Sequence, residues 1–189
     1  MPQERDVAAG NRTEYAAARD FCRIFAERMD SLYTLALLLT GDQAQAERCF
    51  GSALEDCLGA TRVFKDWGPS WARRAVVRNA VQMMRPVPES GLMSPFVPEN
   101  SFKPAAESQV PLRAIFQLKT FERFVFVMSV LEHCPDHDGT VLLGCSRMDY
   151  VRARSRALAR VASFVEKESS PAAAGAAAFP PFGLAVRVA

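Results

Sequence analysis

Apolar residues recur every three or four positions between Tyr15 and Leu39, at Phe21, Ile24, Phe25, Leu32, Leu35, Ala36, Leu38 and Leu39. That spacing predicts an amphipathic helical stretch. Thr40-Gly41-Asp42 interrupts it. Gly41 suits the positive φ that ends a helix, and Asp42, with Gln45 three residues on, suits the start of the next. A second stripe of Ala46, Cys49, Phe50, Ala53, Leu54, Cys57 and Leu58 predicts a helix running to about residue 62. Lys65-Asp66-Trp67-Gly68-Pro69-Ser70 reads as a turn, and a third helix is predicted over residues 71–85, stopped by Pro86.

Beyond Pro86 the pattern changes. Pro86, Pro88, Pro95, Pro98, Pro104 and Pro111 punctuate a stretch in which Met93, Phe96 and Phe102 are the large apolar residues. Each proline removes a backbone donor and fixes φ, so a continuous helix is excluded and a linker is predicted. Helical spacing returns at Leu112. A short helix over residues 112–118 is followed by one that Thr120 caps and that buries Phe121, Phe124, Val125, Met128 and Leu131 before Pro135. A short helical segment from Asp136 ends at Gly144. Ser146 and Asp149 then form a capping-box pattern, predicting a helix from Arg147 with an apolar stripe of Val151, Leu158, Val161, Ala162 and Val165. A short helix, a glycine turn and a longer basic helix together read as a helix-turn-helix.

The expected fold class is all-α: two small helical domains joined by a Pro-rich linker. The boundaries are a tail at 1–14, a helical domain at 15–86, a linker at 87–111, a helix-turn-helix domain at 112–167 and a disordered tail at 168–189. The last of these carries Ser-Ser-Pro, an Ala/Gly run and Phe-Pro-Pro-Phe. A chain of 189 residues suits two such units.

Charge sharpens this reading because of where it lies. Net charge is only +2. Yet Arg62, Lys65, Arg73, Arg74, Arg78 and Arg85 face Asp66 alone within residues 61–85. Arg147, Arg152, Arg154, Arg156 and Arg160 face Asp149 alone within residues 146–160. Two local basic stretches in a near-neutral chain point to anion sites, with nucleic acid the usual partner. Arg152, Arg156 and Arg160 share one helix face, flanked by Arg147 and Arg154, and guanidinium groups there can reach phosphates or pair with guanine. Arg74 and Arg78 are four apart, with Arg73, Asn79 and the aromatic Trp67 beside them, a mixture suited to a single strand. A solvated helix face is the competing explanation for the first set, and core packing of Trp71 under the turn is the competing explanation for the second.

Catalytic chemistry has little footing. The chain has no Gly-rich phosphate loop, no GxSxG and no HExxH, so no enzyme and no cofactor is expected. His133-Cys134-x-x-His137 spaces two histidines like metal ligands, but Pro135 breaks the helix between them, and no metal is expected. Five cysteines argue against a disulfide framework. The polar start MPQERDVAAG and the lack of a long apolar run predict no membrane insertion and a cytoplasmic location.

The order of these elements resembles the extracytoplasmic-function sigma factors of the sigma-70 family, over about residues 20–86 and 112–162. Leu32 to Asp42 is similar to the family's LYRLALRLTGD. Ala46-Glu47 opens a helix where the family has AEDLVQEAF. Trp71 to Arg85 is similar to WLYRIARNLALDLLR. Val125 to Met128 with Leu131-Glu132 resembles VFLLRxLEG, Leu143 to Ser146 resembles LGIS, and Arg156-Ala157 matches the RAR of the recognition helix. The resemblance implies promoter DNA and core RNA polymerase as partners, and possible control by an anti-sigma factor. It implies a −10-like single-strand face at Trp67, Arg73, Arg74, Arg78 and Asn79. It implies a −35-like duplex face at Arg147, Arg152, Arg154, Arg156 and Arg160. The polymerase-binding helix departs from the family, with Glu47 followed by Arg48, Gly51 and Ser52 where acids and Gln are usual. Gly139 replaces a packing Ile, and Met148-Asp149-Tyr150 replaces GTV. The alternative is a degenerate sigma-fold regulatory or protein-interaction module without promoter-directing activity.

Overall fold

The computed structural model describes residues 15–60, 62–88, 110–169 and 185–186. The chain is mostly helical, as the spacing predicts. The first apolar stripe is not one helix, because it divides at Arg28 into α1 (Ala18–Glu27) and α2 (Met29–Thr40). Arg28 still donates its N–H to the Ile24 carbonyl, but its backbone leaves helical geometry (φ −114°, ψ 19°). Gly41 ends α2 in the left-handed conformation, at φ 74°. Asp42 then accepts the Gln45 N–H at 2.9 Å and starts α3 (Gln43–Leu58), which stops short of residue 62.

A single 3-10 turn, Lys65–Trp67, leads into α4 (Gly68–Met84). This helix starts three residues earlier than the turn-like Gly-Pro suggests. Pro69 sits in its first turn, where a missing N–H costs no helical hydrogen bond. Arg85 closes the helix with φ 43°, and Pro86 prevents its continuation.

The C-terminal helices are α5 (Leu112–Phe116), α6 (Thr120–Phe126), α7 (Asp136–Leu143) and α8 (Arg147–Ser169). Thr120 opens α6 rather than capping it; Lys119 holds the cap position and makes no side-chain cap bond. A wide π-type turn, Val127–Leu131, continues α6, and the Glu132 N–H reaches back to Val127. Gly144, at φ 60°, turns the chain between α7 and α8. Ser146 Oγ accepts the Asp149 N–H at 3.1 Å, the capping interaction read from the sequence.

Phe21, Leu32, Leu39, Cys49 and Val76 from the first four helices are buried in the same connected cluster as Ile115, Phe124, Tyr150 and Val161 from the last four and Met128 from the π-type turn. α2 packs on α5 and α6, and α4 packs on α7. The stripe that α8 buries is Tyr150, Ala153, Ala157 and Val161; Val151, Leu158 and Ala162 are half-buried and Val165 is exposed. Of the predicted stripe only Val161 is buried; Tyr150 fills the space that Gly139 leaves on α7, and Ala153 and Ala157 are fully enclosed beside it on the same helix face. Burial pushes the Cys49 and Cys57 thiols up to about 11, and all five cysteines are free.

Most of the expected linker, including Met93, Phe96 and Phe102, lies outside the described residues, as do residues 1–14. Within the expected C-terminal tail, Glu168 and Ser169 belong to α8. Ala185–Val186 pairs antiparallel with Val110–Pro111, so the tail returns to the start of α5. No helix among the described residues is long and apolar enough to cross a membrane.

Candidate nucleic-acid interface

Helix α4 carries the residues expected to face a single strand. Trp67, at its start, is 63 % exposed and meets Phe64 edge-on at 5.3 Å; Phe64 in turn stacks on Tyr15 at 5.1 Å. The remaining members of the set are engaged within the molecule. Arg73 grips both carboxylate oxygens of Glu132, with Nε to Oε2 at 2.7 Å and Nη2 on Oε1. Arg74 Nη2 lies 3.3 Å from Asp138. Arg78 lies 3.7 Å from Asp56 of α3. Asn79 is buried and donates to Asp56 at 2.8 Å and to the Ala75 carbonyl at 3.0 Å. Trp71 is half-buried against the core, with its Nε1 enclosed. In this conformation the expected strand-facing row is an intramolecular contact surface, with Trp67 its open end.

Helix α8 divides its arginines between two roles. Arg156 Nε donates to Glu122 Oε1 at 2.8 Å, and Arg160 Nη1 donates to Oε2 at 2.6 Å. The Glu122 side chain is only 3 % exposed. A carboxylate that deep requires compensating charge, and two guanidinium groups one turn apart supply it. Arg154 is tied to Asp136 of α7 at 2.6 Å. Arg147 and Arg152 are exposed, and neither forms an ion pair among the described residues. Exposed Met148 and Val141 lie beside them at the helix-turn-helix corner, the former 58 % and the latter 67 % exposed. Of the arginines of α8, Arg147 and Arg152 at its start are thus the ones not engaged by carboxylates among the described residues.

The polymerase-facing candidates lie along α3. Glu47 and Arg48 are exposed, and Glu47 accepts from Gln43 at 3.0 Å. Gly51 and Ser52 are partly exposed, and nothing lies within 4 Å of a side chain built at Gly51. His133 and His137 are exposed, and among the described residues no metal-binding cluster of His, Cys, Asp or Glu comes together.

Three features were not read from the sequence. One is Arg123, buried on α6, which donates to the Leu39 carbonyl at 3.3 Å and the Thr40 carbonyl at 3.1 Å. These carbonyls end α2, where the helix dipole favours a cation. Burial lowers the Arg123 pKa from the usual arginine value. A Cβ at Gly41 would lie 2.8 Å from its Nη1, so the glycine serves both the turn and the approach of this arginine. The second is Glu122, and the third is the acidic group Glu132, Asp136 and Asp138. An acid and a base at positions 122 and 123, inside an otherwise apolar register, were the available signal for buried ion partners. No protein-family model matches the chain, and the comparison with curated proteins finds no matching relative.

Proposed function

We propose that the chain is a sigma-like transcription initiation factor that binds promoter DNA and core RNA polymerase. The observation that carries this reading is the helix-turn-helix of α7, Gly144 and α8, whose capped second helix leaves Arg147 and Arg152 exposed at its start. In such motifs the N-terminal residues of the second helix meet base edges in the major groove. The ordered resemblance to sigma regions 2 and 4 supports the assignment of partners.

The test is retardation of promoter fragments by the full chain. R147Q/R152Q should weaken duplex binding, and each lost phosphate contact should reduce the salt slope by about 0.9. R156Q should have the smaller effect on binding, since Arg156 is engaged by Glu122. No retardation at low salt refutes the reading.

A second reading has its own observation. Arg48 stands exposed on α3 where the resemblance implies an acid, and charge reversal at an interface can cost several kcal/mol. A regulatory or protein-interaction module that has lost promoter-directing activity would bind DNA or protein partners without binding polymerase.

A further inference from the structure

Two of the three α4 arginines expected to face a single strand, Arg73 and Arg74, are held by carboxylates from the C-terminal half of the chain. Arg73 and Glu132 form a two-point guanidinium–carboxylate pair, the geometry with which arginine also binds phosphate. One residue along, Arg74 makes a single, longer contact, Nη2 to Asp138 Oδ2 at 3.3 Å. The acids come from separate segments: Glu132 directly follows the wide turn after α6, and Asp138 lies in the first turn of α7. The Arg73 side chain is 35 % exposed and Glu132 16 %; Arg74 is 60 % exposed and Asp138 40 %. The Arg73–Glu132 pair is therefore partly shielded from water, and the Arg74–Asp138 pair is open to it. Arg123 reinforces it elsewhere, fastening α6 to the end of α2.

Resting on the reading above, we propose that Glu132 and Asp138 are intramolecular phosphate surrogates that withhold Arg73 and Arg74 from single-stranded nucleic acid until a competing anion or a partner displaces them. The site is then self-masked, and its affinity is set by the fraction of molecules in which the carboxylates have let go. If about a tenth of the molecules are unmasked, apparent affinity falls about tenfold.

The experiment measures binding of a single-stranded oligonucleotide to the full chain, to E132Q/D138N and to E132Q/D138N/R73Q/R74Q, with a duplex promoter fragment titrated in parallel. Amide replacements keep shape and remove the charges. E132Q/D138N is expected to bind the single strand about tenfold more tightly than the unaltered chain. Its salt slope should stay close to that of the unaltered chain, since both bind through the released arginines, whereas the quadruple variant's slope should be shallower by about 1.4, for two lost phosphate contacts at about 0.7 each. The quadruple variant should lose that gain, and duplex binding should be little changed. Equal single-strand affinity of the unaltered chain and E132Q/D138N, with duplex binding intact, overturns the masking alone. A gain that persists in the quadruple variant also overturns it, since Arg73 and Arg74 would not be the groups released. Failure of every protein to bind either nucleic acid overturns the underlying functional reading together with the masking.

Discussion

Gly139 and Tyr150 make one packing unit from two departures. A Cβ at Gly139 would lie 2.5 Å from the Tyr150 hydroxyl and 2.6 to 2.7 Å from its ring atoms. Tyr150 is fully buried, and burial pushes its hydroxyl up to about 12. The resemblance implies Ile at the first position and Val at the second; here the bulk has moved from α7 to α8. G139I should therefore destabilise the fold by about 1–3 kcal/mol or more through overpacking. Y150V should cost about 2–4 kcal/mol through the cavity it leaves. G139I/Y150V should recover most of either loss, a coupling of about 1 kcal/mol or more. Urea midpoints of the four proteins measure this, and strictly additive losses would separate the two sites. Each residue viewed alone looks like a defect; the exchange of volume between facing positions is visible only once the helices are packed.

At the scale of elements, α8 is a helix with different work along its length. Its start is capped and exposed, its middle is locked to α6 through Glu122, and Arg154 ties it to α7. R156Q/R160Q should leave a buried carboxylate without its cations and cost about 3 kcal/mol. R147Q/R152Q should stay within about 0.5 kcal/mol of the unaltered chain. Thermal or urea unfolding checks the pair, and similar losses in both would contradict the division. Periodicity made the helices legible, and glycine and capping chemistry made their ends legible at Gly41, Asp42, Gly144 and Ser146. The break at Arg28 was not legible, because Arg28 carries no breaker chemistry and the apolar spacing continues past it. Nor was the buried face of α8, since Ala153 and Ala157 give a weak apolar signal where close packing selects small side chains.

At the scale of the molecule, residues far apart in sequence decide which charges are available. Arg73 is 59 positions from Glu132, and Arg123 is 83 from Thr40. Local composition showed two basic stretches; it could not show that acids from α6, α7 and their connection pair with Arg73, Arg74, Arg154, Arg156 and Arg160. The candidate interface is consequently narrower than the sequence implied. It begins at Arg147 and Arg152, with Trp67 exposed at the far end of a row of paired arginines. What distinguishes a sigma-like factor from a DNA-binding regulator is whether this chain directs polymerase to a start site. The most direct measurement is transcription in vitro from genomic DNA by core RNA polymerase, with and without the purified chain. Discrete new transcripts that require the chain, and that diminish with R147Q/R152Q, are the result expected. An unchanged transcript profile, together with failure of the chain to co-purify with core polymerase, would contradict the initiation-factor reading.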